Sequence, residues 1–228
     1  GIFSMWIQTE AAGSARPGQF ISMYTNDGSK LLPRPISICE IDKEGGKLRV
    51  VYRVTGEKTG TEEFSQMKAG DTIPVIGPLG NGFPFEKAEG KKVFLMGGGI
   101  GVPPILELAK QMECEKKQIV VGYRDAHTFL KEEFEQAGEL YISTEDGSVG
   151  TKGNVMDAIR ENALEADMIY ACGPTPMLRA IKQYAETNGI ECYFSGRENG
   201  MWNRCLSCVR VQVKGKGCAQ QCAQQTYL

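Results

Sequence analysis

Apolar positions recur along the chain in two different rhythms. Over residues 1–88 they alternate with polar ones in short runs at 19–24, 35–41 and 48–54. Period-two alternation predicts strands with one face on a core. The runs are broken at Asn26-Asp27-Gly28 and Gly45-Gly46, residue pairs suited to tight turns. Residues 61–67 predict the one short helix of this half. Gly77-Pro78-Leu79-Gly80-Asn81-Gly82-Phe83 is too rich in glycine for a strand and is read as a closing loop. Many short strands at this spacing predict a small antiparallel barrel. Ile2-Phe3-Ser4-Met5-Trp6-Ile7 reads as a strand already under way at Gly1, so a truncated N-terminus is expected.

Over residues 89–194 the rhythm changes. Val93-Phe94-Leu95-Met96 is a continuous apolar run, the mark of a parallel strand buried on both faces. Strands are predicted at 118–123, 140–144, 167–171 and 190–194. Helices are predicted between them at 105–112, 128–137, 154–163 and 176–188, the last ended by Gly189. Strict alternation of this kind predicts a doubly wound parallel sheet. Residues 195–228 follow neither rhythm and form a short cysteine-rich tail.

Composition narrows the function. The chain has 228 residues, 41% hydrophobic and 24% charged, and a net charge of −2. That suits a packed protein and offers no basic field for nucleic acid. No apolar run approaches the roughly 20 residues of a membrane span. Eight cysteines without a secretory leader favour a reducing cytoplasm and metal binding over disulfides.

Candidate chemistry lies at strand ends. Arg34-Pro35-Ile36-Ser37 opens a strand, where the Arg suits a phosphate and the Ser hydroxyl a ring edge. Alone it reads more readily as a surface Arg beside a turn proline. Tyr52-Arg53-Val54 adds an aromatic and a second cation, and Gly60-Thr61 opens a helix whose free N–H groups suit a pyrophosphate. Gly97-Gly98-Gly99-Ile100-Gly101-Val102-Pro103-Pro104 stands between strand and helix, the form of a dinucleotide phosphate loop. Two prolines stand where the last glycine of G-x-G-x-x-G would be. Glu145 and Asp146 follow a strand, where carboxylates bond ribose hydroxyls and repel a 2′-phosphate, favouring NAD over NADP; a solvated acidic loop is the plainer reading. Cys172-Gly173-Pro174 joins another strand to a helix, and a lone Cys is more often a small buried residue than a reactive one. His127, the single histidine, reads as an exposed loop residue.

Taken in order, Pro17-Gly18-Gln19-Phe20, Arg34-Pro35-Ile36-Ser37, Gly60-Thr61 and Gly77-Pro78-Leu79-Gly80 resemble the FAD domain of the ferredoxin reductase superfamily. Leu31-Leu32-Pro33-Arg34-Pro35-Ile36-Ser37-Ile38 resembles in particular the electron-transfer subunits of dihydroorotate dehydrogenase B. The resemblance covers residues 1–194. It implies that Arg34 meets FAD phosphate, that Ser37 lies by the reactive flavin edge, that Gly60 and Thr61 hold the pyrophosphate, and that Cys172 lies near the nicotinamide. It implies an FMN-containing catalytic partner in a hetero-oligomer, with electrons passing between that partner, a [2Fe-2S] cluster, FAD and NAD. The small subunit of an NADH-dependent ferredoxin:NADP or sulfide oxidoreductase is similar to the chain in the same motifs. A zinc-stabilised interaction module on a reductase fold is the non-enzyme alternative.

The tail departs from the family. The family's cluster reads C-x4-C-x2-C and then a fourth Cys. Here Cys205-x2-Cys208 is present, but Gly200 stands in the first place; Cys218 and Cys222 bracket the fourth. Cys205 and Cys208 are the metal candidates. A slip of reading frame near Ser195 accounts for the mismatch. Met201-Trp202 is encoded only by ATG-TGG, which one base on reads TGT, a cysteine. Trp202-Asn203 likewise reads GGA, a glycine. The hidden frame permits a full C-x4-C-x2-C run. The expected organisation is therefore a FAD barrel at 1–88, an NAD domain at 89–194 and a tail at 195–228 in place of the cluster domain.

Overall fold

The computed structural model describes residues 1–27 and 32–195, and the strand at 203–205. Cys208, Cys218 and Cys222, and the proposed change of frame, lie outside the described residues.

The first lobe is one antiparallel sheet of β1 (Ile2–Gln8), β2 (Phe20–Met23), β3 (Arg34–Asp42), β4 (Lys47–Arg53) and β5 (Val75–Leu79), ordered β1-β4-β3-β2-β5. It curls around Ile7, Ile21, Met23, Ile38, Leu48, Val50, Tyr52 and Phe64, the last from helix α1 (Gly60–Gln66). A 3-10 turn, Glu10–Gly13, touches both β4 and β5 and buries Ala12 in the same core.

One expectation is overturned here. Gly77-Pro78-Leu79 is not loop but the end of β5. A Cβ on Gly77 would lie 2.6 Å from Ile21 Cγ2, so glycine is what lets β5 close on β2. β5 is an edge strand, the place in a sheet where a proline such as Pro78 is tolerated.

The second lobe is a sheet ordered β12-β11-β10-β6-β7-β8-β9. Its strands are β6 (Lys92–Gly98), β7 (Lys116–Tyr123), β8 (Glu139–Thr144), β9 (Thr151–Lys152), β10 (Met168–Cys172), β11 (Glu191–Ser195) and β12 (Asn203–Cys205). The first six are parallel, and β12 runs antiparallel to β11. Helices α2 (Pro103–Gln111) and α3 (Lys131–Ala137) cover one face; α4 (Val155–Glu161) and α5 (Thr175–Asn188) cover the other. α3 starts three residues later than predicted because Leu130 is left-handed at φ 64°, which a helix cannot pass through. Short β9 and β12 carried no readable pattern. α4 is capped by Asn154, whose side chain accepts from Met156 N at 2.9 Å while Asp157 bonds the Asn154 N–H at 2.8 Å.

The lobes share a core. Cys39 of β3 and Val51 of β4 point away from the barrel and pack with Phe83, Leu106, Tyr123, Tyr170 and Tyr193. No helix among the described residues is long and apolar enough to cross a membrane.

Candidate functional site

On the barrel, Arg34 opens β3 and lies against the first residue of α1. A Cβ on Gly60 would stand 3.3 Å from both Cγ and Nε of Arg34 and 3.0 Å from Thr25 Cγ2. Any side chain at residue 60 would push the guanidinium away, so glycine here keeps cation and helix start together. Arg34 Nη1 donates to Leu32 O at 2.8 Å, and neither Arg34 nor exposed Arg53 has a carboxylate partner among the described residues. Buried Thr61 turns its hydroxyl inward: Oγ1 accepts from Thr55 N at 3.2 Å and lies 3.0 Å from Thr59 Oγ1. Thr61 thus shapes the turn that follows Val54. An unopposed Arg34 beside close-approaching backbone, with a second unopposed cation at the end of β4, suits an anionic phosphate ligand.

Two other predicted residues of this half serve the core. Ile36 packs on the barrel interior. Tyr52 is 2% exposed, stacked on Phe3 and edge-on to Phe64, and burial pushes its hydroxyl up to about 12. Half-buried Ser37 pairs with Phe20, whose other neighbour is Leu79, so the Ser and the glycine-rich segment lie on the two strands that flank β2. Pro35 is exposed.

On the second lobe the two predicted loops touch. A Cβ on Gly101 would meet Cys172 O at 2.4 Å and Gly173 Cα at 2.6 Å. One on Gly98 would meet Met177 Sδ at 2.3 Å and Pro174 Cδ at 3.3 Å; one on Gly97 would meet Val102 Cα at 2.9 Å. These glycines let β6 and the turn Gly99–Gly101 lock onto the segment between β10 and α5. Gly99 differs: φ is +54° and nothing lies within 4 Å of its Cβ position, so it faces open space.

Cys172 ends β10 opposite Gly97 and Ser195. Burial pushes its thiol up to about 12 despite a hydrogen bond with Ser195, so it stays a neutral thiol at physiological pH. Exposed Glu145 and Asp146 follow β8, their N–H groups donating to Tyr123 O and Arg124 O. The hydroxyl and N–H of Ser148 hold the Asp146 carboxyl below its ordinary value. His127 is 94% exposed along its side chain and bonded only to Asp125, as expected of a loop residue.

Comparison with known proteins bears directly on this arrangement. The oxidoreductase NAD-binding domain family matches residues 95–183, which hold both glycine loops. The dihydroorotate dehydrogenase B (NAD(+)) electron transfer subunit of Geobacillus sp. (strain WCH70) is 43% identical over 200 residues, covering 85% of this chain and 76% of that one. The chain belongs to this family. The corresponding subunit of Streptococcus mutans is 41% identical, covering 96% of this chain, and so the match runs past Ser195, and 86% of its own. A solved NADH-dependent reduced ferredoxin–NADP oxidoreductase superposes with a TM-score of 0.74 at 32% identity, over 85% of this chain and 71% of that one. A ferredoxin NADP+ reductase from Neisseria gonorrhoeae with bound FAD and NADP shares the fold at TM-score 0.72 and 15% identity, over 86% and 92%. The expected two-lobed fold and family membership are thus met in this electron-transfer family.

The residues that join the two half-sites escaped the sequence reading. Glu40 of β3 pairs with Arg49 of β4 and with Lys110 of α2; Arg49 also reaches Glu133 of α3 at 3.3 Å. Burial works to raise the Glu40 pKa, but its bonds to Lys110 and Arg49 hold it below the ordinary glutamate value. Met177, wedged between Gly98 and Gly173, was also missed. Of the metal candidates, only the strand at Cys205 is described, and no cluster of three or more His, Cys, Asp or Glu suited to a metal occurs among the described residues.

Proposed function

We propose that this chain is the electron-transfer subunit of a dihydroorotate dehydrogenase B, relaying electrons between an FMN-containing catalytic subunit and NAD. The observation that carries the reading is the 43% identity to a subunit so named, over a stretch that includes both half-sites. Arg34, Arg53 and the start of α1 at Gly60 would hold FAD phosphate, with Ser37 toward the ring. FAD, when bound, exchanges a hydride with the nicotinamide and single electrons with an iron–sulfur centre. Gly99 and the neighbouring backbone would receive the nicotinamide dinucleotide, while Glu145 and Asp146 select a free ribose 2′-hydroxyl. Cys172, a buried neutral thiol, packs the floor of that site and exchanges no proton. Oxidation of dihydroorotate takes place on the partner, and the location is the cytoplasm.

Cys205 and Cys208 are retained as cluster ligands only if residues 195–228 are translated in the frame given. Resequencing decides this: a single-base slip near codon 195 restores C-x4-C-x2-C, and no slip sinks the idea. A second reading, the small subunit of an NADH-dependent ferredoxin–NADP oxidoreductase, is favoured by the 32% identity to that structure. Co-purification separates the two, since the first requires an FMN subunit that oxidises dihydroorotate. Purified protein is expected yellow and active as an NADH diaphorase. A colourless chain that ignores NADH refutes both readings.

A further inference from the structure

Helix α2 carries the nucleotide loop at its start and lies along β3 with its flank. β3 is covered by β2 only up to Ile38, whose N–H reaches Gln19 O at 2.9 Å. A bulge at Cys39 follows. Past it, the edge of β3 turned away from β4 has no neighbouring strand among the described residues. Ile41 lies on that stretch, and its N–H goes to Glu107 Oε2 at 2.8 Å.

Glu107 is an unusual choice for its position. It is 5% exposed, in a helix where Ile105, Leu106, Leu108 and Ala109 are all buried. Its second oxygen accepts from Gln111 Nε2 at 2.6 Å. Burial raises its pKa, opposed by those hydrogen bonds and by Lys110. A buried carboxylate costs stability relative to an apolar side chain of the same size. The contact that offsets this cost reaches from one lobe to the backbone of the other. The nearby Lys110–Glu40 and Arg49–Glu133 pairs join flexible side chains and tolerate sliding; a bond to the Ile41 N–H does not.

We propose that Glu107 is a positioning residue that latches α2 to the free edge of β3. The latch sets the offset between the nucleotide loop and Arg34–Ser37, which lie at the opposite end of the same strand. This role in electron exchange rests on the proposed function; the latch itself does not.

The full chain, loaded with FAD, is compared with Glu107→Leu, Glu107→Asp and Glu107→Gln. The first readout is hydrogen exchange over residues 38–42, which needs no cofactor. The second is the rate at which NADH bleaches the flavin in rapid mixing, giving a limiting rate and an NADH Kd. Leu removes the acceptor, Asp withdraws it by one methylene, and Gln keeps it. Leu and Asp are expected to speed Ile41 exchange about tenfold or more. They should lower the limiting rate by about 10- to 100-fold, the usual cost of ångström-scale misplacement, with NADH Kd within about twofold. Gln should restore both readouts to within about threefold. Should the Leu variant not fold, Asp carries the test. Unchanged exchange in Asp and Leu overturns the latch. Faster exchange with a wild-type limiting rate, or a loss confined to Kd, overturns the positioning role. Wild-type flavin that NADH does not bleach refutes the proposed function, and the exchange result still judges the latch.

Discussion

Gly101→Ala tests the claim that the nucleotide loop is built by packing two backbones together. The added Cβ would stand 2.4 Å from Cys172 O and 2.6 Å from Gly173 Cα. An ordinary contact needs about 3.5 Å, so the segments must part by about 1 Å. Both obstacles are backbone at the end of β10, where no rotamer can yield. Gly101 does not have a positive φ, so backbone strain is not the issue. Overpacking of this kind costs about 1–3 kcal/mol. With an m-value of about 2 kcal/mol/M, the urea midpoint should fall by about 0.5–1.5 M. Gly99→Ala is the control. It meets no atom within 4 Å but sits at φ +54°, so only left-handed strain of about 1–2 kcal/mol applies. NADH binding is then measured on both by fluorescence titration in conditions where both are folded. Gly101→Ala should lose affinity about tenfold, because the parted loop no longer presents its N–H groups in register. An unchanged midpoint for Gly101→Ala, with wild-type NADH affinity, would falsify the packing argument.

Three further outcomes are expected. Glu40 has a folded pKa below its unfolded value, so it stabilises the protein above the ordinary glutamate pKa and that contribution fades as pH falls through the folded value; Glu40→Gln should flatten the acid limb of a urea-midpoint profile from about pH 3 to about pH 8, and a limb as steep as wild type would discount the ion pairs. Cys172, with its thiol pushed up to about 12 and little surface, should resist a thiol reagent in the native protein while half-exposed Cys114 reacts, as followed by peptide mapping; early labelling of Cys172 would contradict its burial. Asn154→Ala removes a capping box and should lower stability by about 1 kcal/mol in urea titration, with no effect on NADH affinity.

Some of this was open to reading because the rules involved are local. Val93–Met96 followed by glycines and two prolines can only be a buried strand entering a helix, and it is. Arg34 and Gly60 were matched as separate motifs, and the structure joins them through one close approach. What was hidden depends on distant neighbours. Gly77-Pro78 reads as loop unless one knows that β5 is an edge strand lying on Ile21. Tyr52 and Ile36 sit in recognisable motifs, yet their rings and branches face the barrel core. The bulge at Cys39 explains part of this. Ile36 and Ile38 face inward two apart, so Cys39 faces outward by plain alternation and joins the other lobe's core, and the bulge brings Ile41 back to the barrel three residues after Ile38. Glu107 was invisible for a related reason. A glutamate in a helix normally marks the wet face, but α2 is buried from Pro103 to Ala109 between its own sheet and β3, and only its last residues reach solvent.

The glycine signature therefore has three physical origins in one loop, and a double mutant separates two of them. Gly98 is blocked mainly by Met177 Sδ, 2.3 Å from the Cβ position, the far end of a flexible side chain. Gly101 is blocked by backbone, and Gly99 by nothing but its own dihedral. At φ −137° Gly98 lies where alanine is at ease. Gly98→Ala should thus cost about 1–2 kcal/mol by crowding alone. Met177→Ala should remove most of that crowding, with a coupling energy of about 0.5–1.5 kcal/mol in a urea-based cycle. The same Met177→Ala change should do nothing for Gly101→Ala, whose obstacle it does not touch. If Met177→Ala rescued neither, the α5 side chain would not be what holds residue 98 to glycine; if it rescued both, the obstacle to Gly101→Ala would not be the backbone after β10. Rescue of Gly98 alone would mean that most of these glycines shape protein against protein, leaving Gly99 as the position turned toward ligand.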